Sequence, residues 1–512
     1  MSAPLYDARG FWELVSRRAE LSGDRPMLFD EHDRRVTFGE FKDWAERVAA
    51  GFWDLGVREG TAVSWQLPTR IETIVASMAL CRLGAVQNPI IHIYREREVG
   101  FVLRQSGARL FLVPGAWRGY DYAAMAESLA KEIEQPPEIL VAYDRLPEGD
   151  PSALPPPPAP SDAIRWLYYT SGTTADPKGV RHTDASLLAG AVGLAVALDL
   201  GESDVGSIAF PFAHIGGPDM LGVMLTHGCA GALLEAFVPG DAIEVYRRHG
   251  VTMAGGSTAF YTAFLAEQRK QPDQPIIPSL RLLSGGGAPK PPEVFYEVRR
   301  EMGIPIAHGY GMTESPMISQ GSPHDTDEQL ANTDGAPVRG ADIRIVLADE
   351  SDAGPGVEGE VRVKGAMVFK GYTDPTLDAD AFDERGYFRT GDLGHLRADG
   401  HLVLTGRTKD IIIRKGENIS AKEIEDLLYQ HPKVAAVAVI GLPDRERGEL
   451  VCVVVEPAAD ADVLTFVEMQ QYCRDAGLMN QKIPERLETV EQLPRNATLK
   501  ILKYQLRERF GS

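Results

Sequence analysis

Apolar positions along the first hundred residues switch between two periods, and the switches locate the elements. Residues 10 to 56 alternate helical spacing with one short strand-and-turn stretch. Ala62-Val63-Ser64-Trp65-Gln66-Leu67 reads as a buried strand, Ile71 to Leu83 follows helical spacing, and Ala85 to Pro89 reads as a second strand. Strands alternating with helices predict βαβ units, because parallel strands need a long crossover, and hence a mainly parallel sheet with helices on its faces. The rhythm returns at Leu110 to Val113, at Ile139 to Tyr143, and at Leu283 after a helix around Val245 to His249. Leu154-Pro155-Pro156-Pro157-Pro158-Ala159-Pro160 can be neither helix nor central strand, since proline offers no N–H. It predicts an extended, solvated spacer ahead of a strand over Ile164 to Tyr169. The most apolar stretch, Ala189 to Leu200, has about a dozen residues where ~20 span a bilayer, so a buried helix is expected and no transmembrane segment.

From about residue 335 the pattern changes to short strands with tight turns, at Ile343-Arg344-Ile345-Val346, Gly359-Glu360-Val361-Arg362-Val363 and His401-Leu402-Val403-Leu404. These predict a small β-barrel over about 335–408. After Arg407-Thr408-Lys409-Asp410 a compact α+β pattern follows: a helix from Ala421 to Tyr429, strands at Val434 to Ile440 and Leu450 to Val455, a helix from Leu464 to Ala476, and a last helix after Lys500. The expected architecture is therefore α/β. A large N-terminal region, 1–408, of layered α/β subdomains with the barrel precedes a small α+β domain, 409–512.

The 512 residues suffice for roughly three average domains. A net charge of −20 argues against nucleic-acid or anionic-membrane binding over the general surface, so any site for a polyanion must be locally basic. Cys81, Cys229, Cys452 and Cys473 are scattered without a Cys-x-x-Cys pair, which suggests neither a zinc site nor a disulfide framework and fits a reducing cytoplasm. The N-terminus shows no leader pattern and Arg509-Phe510-Gly511-Ser512 is no peroxisomal address, so a cytoplasmic protein is expected.

One loop carries the chemistry most plainly: Tyr169-Thr170-Ser171-Gly172-Thr173-Thr174-Ala175-Asp176-Pro177-Lys178-Gly179. Glycine lets backbone N–H groups turn toward oxygen anions, the hydroxyls of Thr170, Ser171, Thr173 and Thr174 add donors, and Lys178 adds charge. It is no Walker A loop, because Lys178 is followed by Gly179 and Val180. Four further segments follow in order: Gly309-Tyr310-Gly311-Met312-Thr313-Glu314-Ser315, Tyr387-Phe388-Arg389-Thr390-Gly391-Asp392-Leu393-Gly394, Gly406-Arg407-Thr408-Lys409-Asp410 and Leu493-Pro494-Arg495-Asn496-Ala497-Thr498-Leu499-Lys500. With them the chain resembles the adenylate-forming superfamily of acyl-CoA synthetases, aryl-CoA ligases, luciferases and peptide-synthetase adenylation domains. The resemblance runs from about Thr37-Phe38-Gly39-Glu40 to the C-terminus.

The resemblance implies an acid–thiol ligase that activates a carboxylic acid with ATP and Mg²⁺ and then transfers it to coenzyme A. The phosphate cradle is Thr170, Ser171, Gly172, Thr173, Thr174 and Lys178, with Ala175 where the family usually has glycine. Glu314, beside Thr313, is the matched magnesium position, with Thr174 assisting; hard oxygen donors suit that ion. For adenosine, Gly285-Gly286-Gly287-Ala288-Pro289 offers a backbone edge, and Gly309, Tyr310, Gly311 and Met312 supply a strand with an aromatic face. Asp392 can accept from the ribose hydroxyls, and Arg407 matches a ribose- or phosphate-contacting position. Lys500 is the expected adenylation lysine, an ammonium reaching both the carboxylate and the α-phosphate, here preceded by Leu499 where glycine is common. Lys409 matches the hinge about which the small domain moves, and Lys415, Gly416 and Glu417 match the segment beside the coenzyme A channel.

His214 matches an aromatic gate beside the acyl carboxylate, and Gly216, Gly217, Gly255 and Gly256 are candidate pocket positions whose missing side chains suggest width. Amino-acid-activating relatives carry aspartate where this chain has Ala213, so a substrate ammonium would find no counter-charge. A medium-chain fatty, alicyclic or bulkier ring-bearing acid fits. An acyl-AMP ligase loading a carrier protein is the alternative acceptor chemistry, and the sequence is compatible with a homodimer.

Overall fold

Helix Ile71–Leu83 explains the layering. All but one of its residues are buried, with no polar face, and a helix buried all round is covered on every side. It touches both strand Pro26–Asp30 and strand Val86–Pro89, which belong to different sheets. The computed structural model describes residues 3–170, 177–414, 417–445, 447–459, 461–496 and 499–511, without the side chains of Lys409, Glu417 and Asn418.

One sheet has six strands, running Lys178–His182, Trp166–Thr170, Val86–Pro89, Ala62–Trp65, Leu110–Val113, Glu138–Val141. All of its pairs are parallel except that of Lys178–His182 with Trp166–Thr170. The other has nine strands, with a parallel centre of Ile306–Met312, Leu282–Gly285, Met253–Gly256, Val205–Ile208, Ala230–Leu233 and Pro26–Asp30, and antiparallel margins. The apolar stretch expected as a buried helix lies in helix Asp184–Ala197, packed on helix Gly216–His227. The proline run stays extended, and Pro155 accepts a hydrogen bond from Arg82 (2.8 Å). No helix among the described residues is long and apolar enough to cross a membrane.

The barrel expected from residue 335 is laid out as a four-stranded antiparallel sheet, Asp342–Val346, Gly359–Lys364, Phe388–Leu396, Leu402–Arg407. Its last strand continues by hydrogen bonds between Leu402 and residues 334 and 335 (2.8 Å each). The hydrophobic core of the large region extends to Leu402, with Leu404 packed on it, and a separate core begins at Ile412. Between them Thr408–Asp410 forms a 3₁₀ turn. In the C-terminal region the long pair Val434–Asp444 and Gly448–Pro457 is buried on both faces: Val437 and Val439 point to one core, Ala436, Ala438 and Ile440 to the other, as the two-residue repeat requires.

Asp184 fastens three elements of the N-terminal region. Its carboxylate accepts from the Trp166 indole (2.8 Å) and from the backbone N–H of Phe11 (3.1 Å) at the start of helix Phe11–Ser22. Asp184→Ala should lower stability by about 1–3 kcal/mol for each donor left without a partner. Urea unfolding followed by tryptophan fluorescence checks this.

Candidate active site

The phosphate-loop candidates begin where strand Trp166–Thr170 ends. Thr170 pairs directly with Lys178, so the segment between them closes a hairpin whose two feet are fixed. Ser171, Gly172, Thr173, Thr174 and Ala175 lie outside the described residues. The far edge of strand Lys178–His182 is held by a strap over residues 369–373: Lys370 donates to Arg181 O (2.7 Å), Arg181 to Gly371 O (3.1 Å) and Thr373 to Gly179 O (2.7 Å). The strap delivers Tyr372. Its ring centroid lies 5.3 Å from Lys178 Nζ, and its hydroxyl donates to Glu314 Oε1 (3.0 Å).

Glu314 stands in a two-residue turn, because Met312 of strand Ile306–Met312 pairs with Ser315 of strand Ser315–Gln320. Phe369 donates to the Glu314 carbonyl (2.8 Å) and His182 Nε2 to the Thr313 carbonyl (2.7 Å), so the turn is pinned on both residues. Burial pushes His182 down to about 4, leaving it a neutral donor. Burial also raises the Glu314 carboxyl, while the Tyr372 hydroxyl and the charges of Lys178 and Arg407 oppose it. Tyr372 donates to one of its carboxylate oxygens. A nearly buried carboxylate of hard oxygens fits a magnesium ion held mainly by phosphate oxygens.

The nucleoside candidates converge on Asp392, which is 3% exposed. Its carboxylate accepts from the Tyr310 hydroxyl and pairs with Arg407 Nε (2.7 Å), joining the nine-stranded sheet to the last two strands of the barrel region. Burial works against the Arg407 charge, and Asp392, Tyr310 and Asp410 together more than offset it. Each carboxylate oxygen retains a lone pair that a ribose hydroxyl can use. Gly309, Gly311 and Met312 lie in the strand that carries Tyr310, while Gly287, Ala288 and Pro289 follow strand Leu282–Gly285.

His214 precedes helix Gly216–His227, and its Nδ1 accepts from Gly216 N (3.3 Å). Burial, and after it the charge of Lys500, push the imidazole down to about 4. That coupling links Lys500, from the C-terminal region, electrostatically to a residue of the N-terminal region. The Lys500 N–H donates to Asn496 Oδ1 (2.9 Å).

The pocket glycines divide in two. A Cβ on Gly217 would lie 2.0 Å from the Phe212 carbonyl, and one on Gly255 would lie 2.1 Å from the Ser284 carbonyl at φ +140°. These two permit close backbone approach, so the width argument does not hold for them. Gly216 and Gly256 face the rings of Phe210 and Phe260. Lys415 and Gly416 lie outside the described residues, as do the side chains of Glu417 and of Lys409, whose backbone forms the centre of the 3₁₀ turn.

Tyr372 and His182 were not among the sequence candidates. Neither has a local signal, since both act through contacts more than fifty residues away in the chain. Lys290 was missed too. It follows the glycine run, donates to Ala331 O (2.6 Å) and is pushed down to about 8 by burial.

A family model described as AMP-binding enzyme matches residues 15–373, and one described as AMP-binding enzyme C-terminal domain matches residues 423–500. The chain is 30% identical to the medium-chain fatty-acid–CoA ligase of Escherichia coli K12, over 97% of this chain and 89% of that one. It is 31% identical to the salicyl-AMP ligase / salicyl-S-ArCP synthetase of Mycobacterium tuberculosis, over 99% and 93%. The structure of o-succinylbenzoate CoA synthetase from Bacillus subtilis, in complex with its acyl-adenylate intermediate, superposes with a TM-score of 0.84 at 29% identity, covering 96% of this chain and 97% of that one.

Two outcomes follow from the geometry. His214→Phe should keep adenylation within about a hundredfold of wild type, because a neutral wall residue is replaced by another, whereas loss of a general base costs about 10²–10⁴; single-turnover rates measure it. Gly255→Ala should lower the melting temperature rather than alter acid preference, because its methyl meets the Ser284 carbonyl. Calorimetry and a chain-length profile separate the two effects.

Proposed function

We propose, on the premise that this chain belongs to the AMP-binding enzyme family, that its site joins a bulky or medium-length apolar carboxylic acid to coenzyme A through an acyl-adenylate. It is an AMP-forming acid–thiol ligase that uses ATP, Mg²⁺ and coenzyme A. The observation that carries the reading is the cluster in which Tyr372 joins Lys178 to Glu314 while Asp392 holds Arg407, whose charge also acts on Glu314.

The chemistry follows from what each group can do. A carboxylate oxygen attacks the α-phosphorus of ATP and pyrophosphate leaves. Two anions must be held together, and the Lys500 ammonium stabilises the charge that develops between them. Lys178 faces the departing phosphates from the hairpin's foot. A magnesium ion at Glu314 would screen phosphate charge, and Tyr372 orients that carboxylate. Asp392 and Arg407 hold the nucleoside end. In the second step the thiol sulfur attacks the acyl carbonyl and AMP leaves, with the thiol proton passing to water or phosphate. Burial holds His214 neutral in this arrangement, so it serves as a wall.

Acid choice is read from the pocket's chemistry. Ala213 is buried and uncharged, so a free amino acid would bring an unpaired ammonium into an apolar wall. Phe210 and Phe260, beside Gly216 and Gly256, suit chains or rings. A carrier-protein thiol is the second acceptor reading, favoured by the 31% identity to the salicyl-AMP ligase / salicyl-S-ArCP synthetase. We place the enzyme in the cytoplasm, where its four free cysteines would remain reduced.

A screen of carboxylic acids for pyrophosphate release, with and without coenzyme A, tests the function. AMP, pyrophosphate and acyl-CoA are expected; ADP and orthophosphate would contradict it. Lys500→Ala should slow adenylation by about 10²–10³-fold while leaving thioester formation from supplied acyl-adenylate near wild type.

A further inference from the structure

Leu499 is the one hydrophobic residue beyond Leu404, among those described, whose side chain packs against the core of the N-terminal region. Its chain neighbours turn the other way: Leu493 and Ile501 belong to the C-terminal core with Ala438, Ile440 and Val454. Its backbone is also exceptional. Leu499 has φ +62°, and the other described non-glycine residues with positive φ, Asp33, Arg118, Asp199 and Glu350, are all polar or charged. A leucine in this region is strained by its own Cβ and persists only where surrounding contacts hold it.

Those contacts are specific. Leu499 N donates to Asn496 O (2.9 Å), Arg495 Nη1 donates to Leu499 O (3.1 Å), and Asn496 binds Lys500 through both its backbone N–H and its side chain (2.9 Å each). A bridge between Arg495 and Ile501 closes the loop below them. The loop therefore turns Leu499 outward from its own domain and toward the other, one residue before the lysine.

We propose that Leu499 is a positioning residue, an apolar tooth seated in the N-terminal core that holds the Lys500 loop in the adenylating arrangement. The proposal rests on the reading of Lys500 given above. Seating the tooth favours the lysine-in arrangement, and unseating it is a cost that must be met before the small domain can move for thioester formation. Glycine at 499 would keep the backbone turn without strain and lose the tooth, so the two half-reactions should respond in opposite directions.

The test uses the full-length enzyme with the acid that turns over fastest in the pyrophosphate screen. Leu499→Gly should reduce single-turnover adenylation by about five- to twentyfold. It should leave thioesterification of the synthetic acyl-adenylate unchanged or faster, with a melting temperature no lower than wild type. Leu499→Met, which restores an unbranched apolar side chain, should recover adenylation. Equal losses in both half-reactions, or adenylation unchanged in Leu499→Gly, would overturn the proposal. A wild-type enzyme that adenylates no acid would instead overturn the functional reading beneath it.

Discussion

The buried carboxylate of Asp392 is the constraint on which the rest depends. A charge this deeply buried is tolerable only if it is paired, and its two partners come from different parts of the molecule: Tyr310 from the nine-stranded sheet and Arg407 from the last strand of the barrel region. Arg407 is also the last residue before the 3₁₀ turn Thr408–Asp410, and Asp410 in that turn pairs with Arg507 of the C-terminal helix (2.9 Å). One chain of charged side chains thus runs from the candidate nucleoside site past the 3₁₀ turn into the C-terminal region.

A second constraint shapes the phosphate end. Strand Lys178–His182 is gripped on one edge by Trp166–Thr170 and on the other by the 369–373 strap, so the hairpin loop is presented from a rigid base. The same strap carries Tyr372 to Glu314 and Lys178. The overall charge is −20, yet Lys178 and Arg407 both act on the Glu314 carboxyl and Lys500 acts on His214. Local convergence of cations on an acidic protein is what an enzyme handling ATP requires.

Local features were readable from sequence in proportion to how far local physics fixes them. Helix Ile71–Leu83 matches its expected bounds because its mostly apolar run ends at Gly84, whose φ of +65° caps it. Strand Val434–Asp444 runs past the expected Ile440 because its pairing with Gly448–Pro457 carries the polar end along. The barrel region's continuation through Asp334 and Gly335, and Tyr372 in its strap, depend on long-range hydrogen bonds that leave no periodicity behind. The glycines misled for a related reason. Gly217 and Gly255 were read as open space, whereas each makes room for a carbonyl. Leu499 was noticed as a departure from glycine, but its meaning appears only when its contact across the domain junction is seen.

The most direct measurement is isotope exchange between labelled pyrophosphate and ATP in the absence of coenzyme A. The account predicts exchange that depends on a carboxylic acid and needs no thiol, because adenylation is a complete, reversible step that precedes the thiol's attack. Exchange that appeared only when coenzyme A was added, or that proceeded equally well without any acid, would contradict it.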